Sequence, residues 1–229
     1  MKIAITGTNK SGKTTLATNM TYAWPNFKLI KCEKDFSKET FPIISKFDWH
    51  TDKILEAQNS GDVVFDDCLI NILAEILIEN ENGNISDEQV KKCILIFRQS
   101  CRFYDLVFNL PLSKETPIKL NDFTKEDLEK REQLDMQLQA LWWDWREERP
   151  TFFVYDDRPP IIKLFGDEDL MISTIARDFI NEEGKPKTNS DEDLQQQMLE
   201  SVEEYAAYQS LLGGNDKYEK VLRDLKFNK

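Results

Sequence analysis

Apolar residues along this chain gather into short continuous runs, and polar stretches separate them. Residues 2–6 (KIAIT) form such a run, closed by Gly7. Residues 27–31 (FKLIK), 62–65 (DVVF), 104–110 (YDLVFNL) and 151–155 (TFFVY) form four more. An apolar run of this length bounded by turn formers reads as a strand buried on both faces. Helical stretches are expected between the runs, at 14–22, 48–59, 69–78 and 167–180. Ser86 and Gln89 form a capping-box start for a helix running to about Arg102. A long helix is expected from Lys125 to about Trp145, with Leu128, Leu134, Leu138 and Leu141 along it and Pro150 beyond its end. Pro42 reads as a break in the ambiguous stretch 35–59. Strands alternating with helices predict an α/β fold with a mostly parallel five-stranded sheet between helical layers.

The turn after the first strand carries the chemistry. Gly7-Thr8-Asn9-Lys10-Ser11-Gly12-Lys13-Thr14 matches G-x-x-x-x-G-K-[ST] at every fixed position, with a strand before it and a helix after. The glycines let the backbone bend tightly and approach an anion, and the amides and the helix start supply positive potential. Lys13 is expected to reach the β- and γ-phosphates of ATP, and the Thr14 hydroxyl to coordinate Mg²⁺. Thr15 continues the loop into the helix, so residues 7–15 form the expected nucleotide-binding segment.

A second acidic point lies at the end of the third strand. Asp66 sits at a carboxyl edge, where ligands bind in open α/β sheets. Its carboxylate can hold Mg²⁺ or accept the proton of an attacking hydroxyl, and Asp67 can share the role or cap the next helix. Phosphoryl transfer also needs cations on the migrating group. Arg98, Arg102, Arg131, Arg146, Arg149 and Arg158 are candidates, although surface solvation is the ordinary role of any one arginine. Arg131 is the candidate catalytic arginine and Arg158 the candidate contact to bound ATP. His50 is the lone histidine and reads as surface or structural. Trp142, Trp143 and Trp145 read as packing for the long helix.

Net charge of −12 argues against broad contact with nucleic acid or an anionic membrane, and it disfavours DNA as the acceptor. Cys32, Cys68, Cys93 and Cys101 show no metal-binding spacing and read as reduced thiols of a cytoplasmic protein. No signal peptide or membrane span is expected. Residues 181–229 form a more polar, acidic stretch, expected as a helical C-terminal extension to a domain at 1–180. The extension could dock on the domain, mediate an oligomer such as a homodimer, stay mobile, or bind a partner.

Residues 1–17 (MKIAITGTNKSGKTTLA), 63–74 (VVFDDCLINILA) and 104–112 (YDLVFNLPL) resemble P-loop kinases grouped with nicotinamide-riboside kinase domains and phage deoxynucleotide kinases, over about residues 1–180. The resemblance implies a three-layer P-loop kinase-like sandwich with a small helical lid. It implies ATP·Mg²⁺-dependent phosphoryl transfer to a nucleoside, a nucleotide or a modified pyrimidine. A nucleotide-driven switch or ATPase, with the extension binding a partner, is the competing expectation. Such kinases usually carry Asp-Arg after the third strand, where this chain has Asp66-Asp67. They also tend to carry an arginine in the connection after the YDLVF strand; here residues 113–124 have none and Arg131 is the first.

Overall fold

The computed structural model describes residues 1–112 and 124–187. β1 (Lys2–Gly7) is the middle strand, since its apolar residues Ile3, Ala4 and Ile5 are wholly buried. It pairs with β3 (Val63–Asp66) on one side and β4 (Leu106–Leu110) on the other. β2 (Lys28–Lys31) lies beyond β3, and β5 (Ile161–Lys163) lies beyond β4. The sheet order is therefore β2-β3-β1-β4-β5, and every pairing is parallel. Every residue of β3 and β4 is buried, so helices cover both faces of the sheet centre. Edge strand β2 has exposed lysines at both ends, which discourage pairing with a further strand.

Six helices accompany the strands among the described residues: α1 (Lys13–Ala23), α2 (Pro42–Ala57), α3 (Leu69–Glu81), α4 (Asp87–Ser100), α5 (Lys125–Arg146) and α6 (Glu168–Thr174). α1 packs on β1, β2 and β3. α3 contacts β1 and gathers α2, α4 and α5 around it. The Ser86–Gln89 capping box is present at the start of α4, and Thr124 with Asp127 forms a second one at α5.

The structure departs from sequence expectation in three places. Residues 151–155 are not a strand. Thr151 and Phe152 donate their N–H groups to the Asp144 carboxylate at 2.7 and 2.9 Å, and Phe153 packs edge-on against Phe97. Those contacts tie the segment to the end of α5 and take its donors from any ladder. The fifth strand is Ile161–Lys163, entered through Pro160, whose carbonyl accepts from Val107 N–H at 2.9 Å. A proline beside a short edge strand costs no central ladder bond. Secondly, Pro42 starts α2 instead of breaking a segment, because the first helical position needs no N–H and suits its fixed φ. Thirdly, the expected helix 167–180 is α6 followed by a wider π-type turn at Ile175–Phe179.

The chain divides into two compact units, Met1–Ile172 and Ser173–Lys229. The first holds the sheet and the candidate site. In the described part of the second, Ile180 bridges Pro186, and Lys187 N–H donates to Phe179 O at 2.9 Å. The helical extension expected at 181–229 falls mostly on residues 188–229, outside the described residues, as does the connection at 113–123.

Candidate nucleotide site

β1 delivers the chain to the loop at Gly7, with φ 150°, and α1 leaves it after Gly12, with φ 95°. A Cβ on Gly7 would lie 2.6 Å from Leu110 O and 2.8 Å from Ser11 Oγ, so only glycine fits between the loop and β4. Gly12 has open space around it and instead supplies left-handed backbone. α1 has no side-chain cap and no acid in its first turn. α4 and α5 have both. The positive end of the helix that starts at the loop is therefore offset by neither a capping side chain nor a first-turn acid. Ser11 Oγ is buried in the same loop without a hydrogen-bond partner.

Lys13 Nζ donates to Gly7 O at 2.8 Å and Thr8 O at 2.9 Å, folded over the loop. Thr14 Oγ1 donates to Asp66 Oδ2 at 2.7 Å. That bond joins the start of α1 to the end of β3, and it brings together the two residues that the sequence nominated for Mg²⁺. A hydroxyl and a carboxylate are the hard oxygen donors that this ion takes. Magnesium usually keeps several waters and leans on substrate phosphates. Its fit here therefore needs no larger carboxylate cage, and among the described residues no group of three His, Cys, Asp or Glu could form one.

Beside the loop lies a cavity of about 320 Å³. Leu16, Leu110, Pro111, Leu164, Phe165 and Met171 supply apolar walls, while Lys10, Gly12 and Thr15 connect it to the loop. It sits at the lower end of the ligand-cavity range of roughly 300–1,000 Å³. Asn9 is at the exposed loop tip.

Arg131 reaches the loop from α5. It is buried, and its Nε donates to Thr8 Oγ1 at 3.1 Å. Asp135, one turn further along α5, accepts from Leu112 N–H at 3.0 Å and attracts both Arg131 and Lys163. Burial pushes the Asp135 carboxyl up and the Lys163 ammonium down to about 8. Lys163 is fixed by Gln139 Oε1 at 2.7 Å and lies over the Trp142 ring.

On the α2–α3 side the structure assembles a group that sequence reading missed. Lys46 Nζ lies 3.3 Å from Asp67 Oδ2 and 3.2 Å from Glu75 Oε2. Asn71 Oδ1 accepts from Thr6 Oγ1 at 3.0 Å and Gly7 N–H at 3.1 Å, and its amide nitrogen donates to Glu75 at 3.4 Å. Burial lowers the proton affinity of Lys46, but Asp67 and Glu75 outweigh it and hold the ammonium above its ordinary range. Burial pushes the Glu75 carboxyl up, against the pull of Lys46 and, more weakly, Lys13. Asp67 has left-handed backbone with φ 83°. His50, one turn after Lys46 on α2, is buried, which fits the structural one of its two expected roles, and burial pushes its imidazole down to about 4. The signal available in the sequence was Asn71 and Glu75, four apart in the otherwise apolar start of α3.

Other nominated residues lie apart from the loop. Arg158 donates to Trp145 O and to Glu147 O (2.9 Å), where it stacks on Trp145 and Tyr155 at the end of α5. Arg102 forms an exposed pair with Asp157, and Arg146 stacks on Trp142 and Trp143. Trp142 is buried, and Trp145 donates to Pro159 O at 2.9 Å, so both pack the helix as expected. Arg98 lies in the last turn of α4, and Arg149 follows the end of α5. No described helix is long and apolar enough to cross a membrane.

No protein-family model matches the chain, and no curated protein matches it in sequence. Solved structures do. A deoxyadenosine kinase from M. mycoides with dCMP and dCDP bound aligns at TM-score 0.56 and 16% identity, over 77% of this chain and 97% of that one. The same enzyme with bound dATP gives 0.55 and 16%, over 77% and 98%. Thymidylate kinase from Candida albicans gives 0.50 and 16%, over 82% and 95%. At such identity the likeness speaks for architecture, and the chain shares the fold of these P-loop nucleoside and nucleotide kinases.

Proposed function

We propose that the protein transfers the γ-phosphoryl group of ATP to an acceptor oxygen, the hydroxyl of a nucleoside or modified pyrimidine or the phosphate of a nucleotide. The observation that carries this reading is the Thr14–Asp66 hydrogen bond, at 2.7 Å, across the mouth of the glycine loop. Gly12 and Thr15, beside Thr14, line the apolar cavity, and Asp67, beside Asp66, belongs to the charged cluster; surroundings that differ in this way suit a donor and an acceptor.

The loop amides and Lys13 bind the β- and γ-phosphates, and the base occupies the cavity between Leu16 and Phe165. Thr14 and Asp66 are the residues that would hold magnesium, which would neutralise charge on the phosphates. Arg131, steadied by Thr8 and Asp135, stabilises negative charge on the migrating group. Asp66, at the strand end, takes the proton of the acceptor hydroxyl as its oxygen bonds to phosphorus and the bond to the bridging oxygen of ADP breaks. The fold of the solved kinases supports this reading at the level of reaction class.

The test is a transfer assay with labelled ATP and Mg²⁺ against nucleosides, nucleoside monophosphates and an oligonucleotide bearing a hydroxymethyl pyrimidine. Lys13→Ala is the control. Labelled acceptor is the expected result. Free phosphate with no labelled acceptor would replace the reading with a nucleotide-driven switch or ATPase.

A further inference from the structure

The two flanks of the loop differ in charge, and that difference bears on the acceptor. On the α2–α3 flank, Lys46 faces two carboxyl groups, Asp67 and Glu75. Asp67 stands directly after Asp66, whose carboxylate bonds Thr14, so the cluster begins where the reacting phosphoryl group would end. Glu75 is close enough to Lys13 to feel its charge, and Asn71 links Glu75 to the Gly7 N–H. With Glu75 ionised the cluster is net negative; with Glu75 protonated, Asp67 still cancels Lys46. In neither state does it offer a surplus cation.

His50 completes the flank. It is 1% exposed, and neither ring nitrogen has a hydrogen-bond partner. Its electrostatic neighbours are Asp67 and Lys46, which places it beside the same cluster. As a neutral imidazole it adds no positive charge to the flank. Arg131 reaches the loop from the α5 side and is held there by Thr8.

We propose that this flank selects an uncharged acceptor, the hydroxyl of a nucleoside, over a nucleoside monophosphate, and that Asp67 sets the choice by holding Lys46. The proposal rests on the phosphoryl-transfer reading above. A phosphate ester brings about −1.5 to −2 charges at neutral pH and is bound through charge-assisted donors. Here it would meet Asp67 and Glu75 with their one ammonium already engaged, and juxtaposed like charges are strongly disfavoured at an interface. A sugar hydroxyl meets no such opposition.

The experiment pairs each deoxynucleoside with its own 5′-monophosphate, using ATP and Mg²⁺, and separates products by mass. The nucleoside is expected to exceed its monophosphate in kcat/KM by roughly 100-fold, the scale of a like-charge clash. Asp67→Asn should narrow that ratio about tenfold by raising monophosphate use, since Lys46 then faces a single carboxyl. Asparagine tolerates left-handed backbone, so the variant should fold, and a thermal melt checks this. Monophosphates preferred by the unaltered protein would overturn the proposal while leaving the transfer reading intact. Asp67→Asn lowering both substrates equally would also overturn it, as would transfer to the oligonucleotide alone. ATP binding with no transfer to any acceptor would defeat the transfer reading itself, and the proposal with it.

Discussion

The two flanks of the loop are built on different principles. The flank proposed for the donor is mostly main chain: Gly7 to Thr14 fold back on themselves, and β4 and the β5–α6 loop supply a wall. The α2–α3 flank is all side chain: Lys46 and His50 from α2, Asp67 after β3, Asn71 and Glu75 from α3. Anion binding by amides needs a bend that one short stretch of chain can encode. Selecting an acceptor needs groups at defined separations, and only the assembled fold provides those.

Breaking the donor flank should have the largest effect. Lys13→Ala removes the ammonium from the loop, and transfer should fall by about 10³-fold, the scale for loss of a strong charge-stabilising donor. Its two bonds to loop carbonyls are local, so the thermal midpoint should move little. Transfer within tenfold of the unaltered protein would remove Lys13 from the chemistry. Gly7→Ala and Gly12→Ala separate the two roles of glycine. At Gly7 the new Cβ meets Leu110 O at 2.6 Å, backbone that cannot step aside, so the loop must open. ATP affinity should fall by about 100-fold. At Gly12 nothing lies within 4 Å, and only left-handed strain remains, about 1–2 kcal/mol. Equal losses at the two positions, measured by calorimetry, would show that space is not what Gly7 provides.

The same contrast explains what the sequence made legible. Strand runs at β1, β3 and β4 announced a parallel sheet because burial on both faces leaves no polar alternation. Residues 151–155 have the same aromatic and β-branched composition, but Asp144 takes the N–H groups of Thr151 and Phe152. Composition does not report where a donor goes. The true β5 is three residues long and follows two prolines, too short for any period to register. Read from the sequence, Pro42 is a break, which leaves Lys46 outside any helix, whereas Pro42 opens the first turn of α2. Arg131 stands out in the sequence only as the first arginine after a polar connection, and the fold bonds it to Thr8. Arg158 shared its residue type but turns to the carbonyls at the end of α5. A helix period places a side chain on a face and leaves its partner to the fold.

Acid should strain the α2–α3 flank. The imidazole of His50 has a folded value of about 4 against an ordinary 6.5. Between those values the unfolded chain binds more protons, so this contribution is present above pH 6.5 and lost as pH falls toward 4. Its full size is on the order of 3 kcal/mol, at 1.4 kcal/mol per unit. Glu75 works in the opposite direction, because a raised carboxyl favours the folded state as it protonates. Urea unfolding from pH 7 to 4.5, compared between the unaltered protein and His50→Gln, isolates the histidine. The variant should show the flatter profile, and parallel profiles would mean that His50 already has a proton or a partner.

The smallest effect tests whether the flanks are separable. Lys46→Met leaves Asp67 and Glu75 facing each other without their shared ammonium. Lys46 is only half-buried and its stem still packs, so stability should fall by about 1–2 kcal/mol at neutral pH. Removing its pull raises the Glu75 carboxyl further, and protonation of that group relieves the repulsion. The stability gap to the unaltered protein should therefore narrow as pH is lowered. The KM for ATP should stay within about twofold, since the ion pairs of Lys46 run to Asp67 and Glu75 and it does not line the cavity beside the loop. A large rise in that KM would mean that Asn71, bonded to both Glu75 and Gly7, carries the disturbance across and that the two flanks act as one unit.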